Sequence, residues 1–363
     1  MKSINYKICL VTVTLSDGGA ERCAATLSHF FVNQGHDVHH IVYSGKIEYD
    51  YAGKLKHLAQ SNPNKWISRI TRFYALRKYL VVNNFDFVID LRVKRFFLQE
   101  YIIHNFLYKS HIQTVHSNKL DSYIPKNKFL ARLLYDKCKM MVSVSKGVET
   151  KILEQYKFDK TFQIYNPIDF NSINKLKEES VDFKGEFIVA AGSMNKNIKQ
   201  FDHLIECYSK SELPKKNIKL LILGDGKLKN QMIEFAKSIG MEGFVVFKGN
   251  VRNPYCYFSR AFFLALTSKY EGLSMVLIES LATGTPVIAY NCESGPREII
   301  QNLQNGILVE NQNKDAMIHA FNNFITDKNL YLHCKSNSAS SVANFDIDNI
   351  GSQWLQLFKH IKK

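Results

Sequence analysis

Twice along this chain, a run of aliphatic residues ends in a glycine-bearing turn and passes straight into a helix-patterned segment. That alternation constrains the fold more than any other feature. In the first half, Lys7 to Thr14 reads as a buried strand and Leu15-Ser16-Asp17-Gly18-Gly19 as a turn. A helix is predicted from Ala20 to Asn33, with Ala24, Leu27, Phe30 and Phe31 on one side. Gly35 ends that helix, and Val38 to Tyr43 forms the next strand. A strand, a crossover helix and a second strand make a parallel pair, because a parallel connection needs a dozen or more residues. Further strands are expected at Phe85–Asp90, Ile112–His116 and Met140–Val144, with a helix from about Ser145.

The pattern breaks near Asn166-Pro167-Ile168-Asp169, where proline biases Asn166 away from helix and a polar Lys/Glu stretch follows. A second series then starts. Its strands are Phe187–Ala191, Ile218–Leu223, Val245–Lys248, Phe262–Thr267 and Pro286–Tyr290; its helices are Gln200–Ser209, Lys227–Ile239, Pro254–Ser259 and Met275–Thr283. The expected architecture is α/β, with two doubly wound Rossmann-like domains, 1–166 and 167–345. A last helix within 346–363 carries Trp354, Leu357, Phe358 and Ile361 and is expected to pack back on the first domain.

The 363 residues are 45% hydrophobic, enough for two cores and too apolar for a disordered chain. No apolar run approaches the ~18–20 residues of a membrane-spanning helix. The apolar stretch at residues 8–13 is too short for a signal peptide and reads as a strand. Seven scattered cysteines without a Cys-x-x-Cys pair point to a reducing, cytoplasmic setting and no structural zinc.

Charge is uneven. Residues 1–165 hold 25 basic and 13 acidic side chains (25 − 13 = +12), and the rest hold 23 and 20 (+3), adding to the chain's +15. A basic first half implies an anionic partner: nucleic acid, anionic lipid or a phosphorylated substrate. The segment Lys65 to Leu80 mixes five cations with Trp66, Ile70 and Phe73. On a helix these leave an apolar face edged with positive charge, the composition of an interfacial helix; packing on the sheet explains such a face equally well.

Ligands of doubly wound folds bind beyond the carboxyl ends of the strands. Five segments fall there: Gly18-Gly19, Gly192 to Lys199, Leu223-Gly224-Asp225-Gly226, Ser268 to Glu279, and His116. The first lacks the G-x-G-x-x-G spacing of a dinucleotide site. Lys199 is placed to meet a phosphate. The glycines at 224 and 226 either clear space for a ligand or close a turn. Glu271 is expected in the strand-to-helix loop and Glu279, eight positions on, about two turns into the helix, roughly 12 Å along its axis, too far to share a proton and well spaced to grip an elongated ligand. A helix N-terminus at Ser274–Val276 suits an anion between them. The histidines of His36-Asp37-Val38-His39-His40 alternate across a strand and are set aside as metal ligands, and Asp346-Ile347-Asp348 lies outside the sheet.

The run Tyr270-Glu271-Gly272-Leu273-Ser274-Met275-Val276-Leu277-Ile278-Glu279, followed by Ser280-Leu281-Ala282-Thr283-Gly284-Thr285-Pro286-Val287, resembles the signature of family-4 retaining glycosyltransferases of the GT-B fold. Gly18-Gly19-Ala20-Glu21-Arg22, Asn166-Pro167-Ile168-Asp169, Leu223-Gly224-Asp225-Gly226 and Gly306-Ile307-Leu308-Val309 extend the resemblance along most of the chain. The resemblance implies two domains facing a central cleft. It also implies a nucleotide-diphosphate sugar donor, with Glu271 and His116 toward the sugar and Lys199 toward the diphosphate. Backbone N–H groups of Leu273, Ser274, Met275 and Val276 would hold the distal phosphate, Glu279 the ribose, and the loop through Val251 and Arg252 the base. Gly192 and Ser193 would line the donor site, and Gly18 and Gly19 the opposite wall. Ser193 stands where the family usually has arginine, so either Lys196 substitutes or the donor site is weaker.

The segment Asn291 to Ile300 resembles bacterial members that transfer N-acetylgalactosamine, galactose or related sugars to lipid-linked glycans, which favours a UDP-sugar. The expected enzyme is a hexosyltransferase with a glycan or lipid-linked acceptor, working at the inner membrane surface, without a metal or other cofactor. A same-fold nucleotide-sugar epimerase is the nearer alternative. A nucleic-acid-binding protein would explain the charge but leaves the two glutamates without a role, and no nucleic-acid motif is present, so no nucleic-acid partner is expected.

Overall fold

The computed structural model describes residues 5–362 except 17, 59–64 and 95, with the backbone alone for 65–69. The chain packs as two units, residues Met1–Ile168 with Ile347–Lys363, and Asp169–Asp346.

In the first unit the elements are β1 (Lys7–Thr12), α1 (Gly19–Asn33), β2 (Asp37–Val42), β3 (Lys54–His57), α2 (Lys65–Asn83), β4 (Phe87–Asp90), α3 (Phe97–Ile102), β5 (His111–Val115), α4 (Lys128–Tyr135), β6 (Cys138–Ser143), α5 (Lys146–Tyr156) and β7 (Thr161–Gln163). The second unit comprises α6 (Phe170–Leu176), β8 (Phe187–Ala191), α7 (Phe201–Lys210), β9 (Lys219–Leu223), α8 (Lys229–Ser238), β10 (Val245–Gly249), α9 (Tyr255–Arg260), β11 (Leu264–Leu266), α10 (Met275–Ala282), β12 (Val287–Tyr290), α11 (Pro296–Ile299), β13 (Gly306–Val309), α12 (Lys314–Thr326) and α13 (Lys328–Ser341). The chain then returns to the first unit as α14 (Ile347–Lys362).

Both sheets are parallel. The first runs β3-β2-β1-β4-β5-β6-β7 and the second β10-β9-β8-β11-β12-β13. In each, the opening strand lies inside the sheet and later strands build outward on both sides. The strand order therefore reverses beside β1 (β1/β4) and beside β8 (β8/β11), the places where such folds take ligands.

Strand β1 shows why the layers form. Successive side chains point to opposite faces, so Ile8 and Leu10 join the core under α1 and α14, and Cys9 and Val11 join the core under α2. All four are fully buried. Helix α14 packs on α1 through Trp354, Leu357 and Phe358, with the Phe358 ring stacked on Phe87 at 4.2 Å. Gly351 permits that approach: a β-carbon there would stand 2.4 Å from the Phe30 ring. Gly351→Leu is expected to cost about 1–3 kcal/mol through overpacking. The check is a lower urea midpoint for the first unit with an unchanged midpoint for the second.

Helix α2 corrects the face read from the sequence. Leu76 and Leu80 are buried, and Phe73 packs with them against the core of β1, β2 and β4. Phe73 therefore belongs to the sheet side, while Ile70, Tyr74, Val81 and Val82 are exposed on the helix. The side chains of Trp66 and Arg69 lie outside the described residues.

Candidate active site

In the second unit, the loops after the strands are joined edge to edge. Gly224 N–H donates to the Gly249 carbonyl at 2.7 Å, and Met194 N–H to the Asp225 carbonyl at 2.9 Å. Lys269 N–H donates to Ile198 O at 2.8 Å, and the Thr267 hydroxyl to Lys199 O at 2.9 Å. Ser294 Oγ donates to Glu271 O at 2.8 Å, and Tyr270 bridges Glu293. The rim beyond the β10, β9, β8, β11 and β12 strands is therefore one hydrogen-bonded surface, held before any ligand arrives.

At its centre, where the strand order reverses, Lys199 Nζ donates to Glu271 Oε1 at 2.7 Å; their side chains are 20% and 10% exposed. Ser268 Oγ donates to the same oxygen at 2.5 Å. One carboxylate oxygen thus holds two donors, fixing the Glu271 rotamer from β11's loop and the Lys199 rotamer from β8's. Ser268 and Ser294 were not singled out from the sequence; Ser268, three residues before Glu271, was the legible one.

The helix that follows begins at Met275, where the sequence reading placed it, with Glu271 in the loop before it. Glu279 therefore stands one turn into α10, about 6 Å along the axis from Met275, rather than the two turns expected. Glu279 is 2% exposed. Ser274 occupies the N-cap with extended backbone, yet its hydroxyl is buried and makes no hydrogen bond among the described residues. The side chain that ordinarily satisfies a first-turn N–H leaves α10 uncapped beside the Lys199–Glu271 pair. An uncapped helix start presents free N–H groups and the positive end of the helix dipole, a combination that suits an anion. Leu273 is buried there, and Met275 and Val276 are half-buried.

The glycine turns have a structural explanation. A β-carbon on Gly224 would stand 2.1 Å from Gly192 O, and one on Gly226 2.3 Å from the Met194 carbonyl carbon. These glycines clear backbone from a neighbouring loop. A β-carbon on Gly192 would press on the Lys199 side chain at 3.0 Å. Ser193 Oγ accepts from the Asn195 backbone and side chain at 3.3 and 3.1 Å, tying the loop on itself. Lys196 is exposed, and so is Arg252, in the loop after β10 that also holds half-buried Val251. Lys229, unremarked in the sequence, pairs with Asp225 at 3.2 Å on the same rim.

The first unit carries the remaining candidates. Gly18, with φ +107°, stands before α1 in a conformation that disfavours any other residue, and Gly18 and Gly19 are exposed; Asp17 lies outside the described residues. His116 follows β5, its Nε2 2.9 Å from the Thr114 hydroxyl, which itself donates to the Asp90 carbonyl at 3.2 Å. That chain assigns the proton to Nε2 and leaves Nδ1 as the acceptor. Nδ1 has no partner among the described residues. Burial pushes the ring's pKa down to about 3, so it is neutral at physiological pH.

Two doubly wound units, one with a fixed Lys–Glu pair beside an uncapped helix start, suit an enzyme that handles an anionic ligand. The comparisons place it further. Residues 17–172 match the family model described as Glycosyltransferase Family 4, and residues 172–341 match that of Glycosyl transferases group 1. The chain belongs to this family of GT-B glycosyltransferases. Over 359 residues it is 29% identical to a Campylobacter jejuni protein, N-acetylgalactosamine-N,N'-diacetylbacillosaminyl-diphospho-undecaprenol 4-alpha-N-acetylgalactosaminyltransferase, covering 94% of this chain and 96% of that one. It is 23% identical to the amylovoran biosynthesis glycosyltransferase AmsD of Erwinia amylovora, covering 96% and 98%. In fold it is similar to Anabaena Alr3699/HepE solved with UDP-glucose, at TM-score 0.80 and 17% identity over 98% of this chain and all of that one.

Proposed function

We propose that this enzyme transfers a hexose or N-acetylhexosamine from a UDP-sugar to a lipid-linked or polysaccharide acceptor in bacterial glycan biosynthesis, with retention at the anomeric carbon. The observation that carries the reading is the Lys199–Glu271 pair, 2.7 Å apart, beside the uncapped start of α10. Lys199 and the α10 N–H groups stabilise the leaving diphosphate electrostatically, so the chemistry needs no metal ion. Glu271 positions the sugar and offsets charge developing at its anomeric carbon, and attack proceeds on the face the diphosphate leaves. Glu279 takes the ribose, and neutral His116 accepts a hydrogen bond from a sugar hydroxyl. The Campylobacter relative's N-acetylgalactosaminyl transfer to an undecaprenol-linked glycan supports both the sugar class and the acceptor class.

A polyprenol-linked acceptor places the enzyme at the inner membrane face. Exposed Tyr74 and Val81 on α2, with exposed Arg77 and Lys78 on the same helical side, suit an anionic bilayer surface. Among the described residues no helix is long and apolar enough to cross a membrane. The enzyme is expected to sediment with anionic liposomes and to be released by salt; equal binding to neutral liposomes would remove this part of the reading.

A thermal-shift screen of nucleotide sugars tests the donor assignment. A UDP-sugar at about 100 times its Kd stabilises by about 2.7 kcal/mol, and Glu279→Ala is expected to lose at least half of the corresponding shift. An undiminished shift in that variant would contradict the assignment, and product analysis separates transfer from epimerisation.

A further inference from the structure

The first unit has its own ligand-shaped feature, unconnected with any residue assigned above. A cavity of about 240 Å³ opens beyond β1, β2 and β4, where the strand order of that sheet reverses. Sites for drug-sized ligands run to ~300–1,000 Å³, so this one has room for about a single sugar ring.

Its polar wall is built from buried charge. Arg92, 3% exposed, donates through Nε to Asp90 Oδ1 at 3.0 Å and through one terminal nitrogen to Asp90 Oδ2 at 2.7 Å and Glu100 Oε2 at 3.0 Å. Lys94 Nζ donates to Asp90 Oδ2 at 2.7 Å. Burial alone would push the Asp90 carboxyl up, but Arg92, Lys94 and His104 hold it well below the usual carboxylate range. Burial keeps His104 and His111 neutral behind it, the latter at about 3. Two cations and two carboxylates cancel. Replacing such a buried network by apolar residues is often neutral or stabilising, so stability does not account for it. Helix α3 also runs directly into a π-helical turn, Ile103–Leu107, a rare form that is frequent at functional sites.

The rest of the lining combines aromatic rings, the Gln99 amide, the Ser44 hydroxyl, aliphatic side chains and a further cation, Arg72. The Arg92 guanidinium lies over the Tyr43 ring at 4.1 Å, Phe73 lines the side, Phe96 stands 53% exposed, and Gln99 lies one turn from it on the same lining. Fixed donors and acceptors beside the faces of Tyr43, Phe73 and Phe96 match a pyranose, which has an apolar face and a hydroxyl edge. An anion would meet the Glu100 carboxylate, although Arg72 and Arg92 line the same cavity, and pyrophosphate is therefore one of the probes in the test. A metal would have to displace Arg92 and Lys94 from Asp90 and Glu100, although those carboxylates and His104 are close enough together to ligate one.

We propose that this cavity seats the terminal sugar of the acceptor, with Gln99, Glu100 and Arg92 reading its hydroxyl or acetamido groups and Phe73 and Phe96 its ring face. The assignment rests on the transferase reading and deepens it. The test is saturation-transfer NMR on the full chain with the methyl α-glycosides of N-acetylgalactosamine, N-acetylglucosamine, galactose and glucose. Inorganic pyrophosphate is the anion arm, and UDP is titrated into the same samples. At least one glycoside is expected to receive saturation from the wild-type protein, with the signal falling at least fivefold in Gln99→Trp, which fills the cavity, and in Phe96→Ala, which opens its mouth. UDP binding should be unchanged in both. No glycoside signal, a signal undiminished in both variants, or pyrophosphate as the probe that Gln99→Trp displaces would each overturn the cavity assignment. Absence of UDP binding with the glycoside signal intact would instead count against the donor reading.

Discussion

Replacing Glu271 by glutamine should lower kcat for sugar transfer by about 10²–10³-fold, the loss typical when one preorganised group is withdrawn from a developing charge. Glutamine keeps the size of the side chain, and its carbonyl oxygen accepts from Ser268 as the carboxylate does at 2.5 Å. The Ser294 hydroxyl bonds the main-chain carbonyl and is unaffected. What disappears is the charge that faces Lys199 at 2.7 Å and, on the proposed mechanism, the anomeric carbon. Because Lys199 is then released toward the diphosphate, donor binding should be retained or tightened. Kinetics that isolate the chemical step read the outcome: kcat falls while KM for the UDP-sugar does not rise. A glutamine variant that keeps more than a tenth of the wild-type kcat would reduce Glu271 to a scaffold for Lys199. Lys199→Met should instead weaken the response to UDP and to UDP-sugar together.

The second large effect concerns acid. His40, His104 and His111 all belong to the first unit and are fully buried. Burial is the leading cause holding their pKa values down: about 4 for His40, about 3 for His111, and well below the ordinary value for His104, where Lys94 and His111 add to it. Unfolded, each titrates near ~6.5. Between those limits the unfolded chain binds more protons than the folded one, so stability is whole above about pH 6.5 and falls with acidification. Each group contributes a slope of about 1.4 kcal/mol per pH unit, so the three together approach about 4 kcal/mol per unit. Asp90 acts lower down: its depressed pKa withdraws stability only once pH drops below the unfolded carboxylate range. Peptide-resolved hydrogen exchange at pH 7.5, 6.0 and 5.0 should show residues 5–168 losing protection well ahead of 169–346. Parallel loss in both units would show that the buried histidines take up protons without unfolding their unit.

Much of this was legible in the primary structure, and the legible parts share a cause. Strand Phe187–Ala191 is bounded where its aliphatic run ends, and α10 starts at Met275, as the pattern gave. Parallel strands covered on both faces must be continuous apolar runs, and such runs stand out. Strand β3, Lys54-Leu55-Lys56-His57, escaped notice because it is an edge strand, short and charged, as edges that avoid aggregation are. The polar helix α13 and the small strand β7 went unread for want of contrast, whereas α12 carries a legible apolar face, Met317, Ala320, Phe321 and Phe324, that the sequence reading passed over. Phe262–Thr267 shrank to Leu264–Leu266, since burial continues past the ladder that defines the strand.

The site divides the same way. Glu271, Ser274 and Glu279 are contiguous, and a local signature can carry them. The donors on Glu271 needed the fold: Lys199 is 72 residues away and reaches it only because β8 and β11 are sheet neighbours. The wall of Arg92, Asp90, Glu100 and His104 has no motif, and nothing in composition told its buried arginine from the solvated ones.

By itself, then, the order of residues decided the architecture and the chemistry within reach of a single loop, because strand and helix periods and turn residues act over a few positions. Tertiary structure alone decided which glycines clear backbone, which face of α2 meets solvent, and which charges cancel in the interior. Those outcomes depend on packing between segments far apart in the chain, where close approach and desolvation, not local propensity, set the energy.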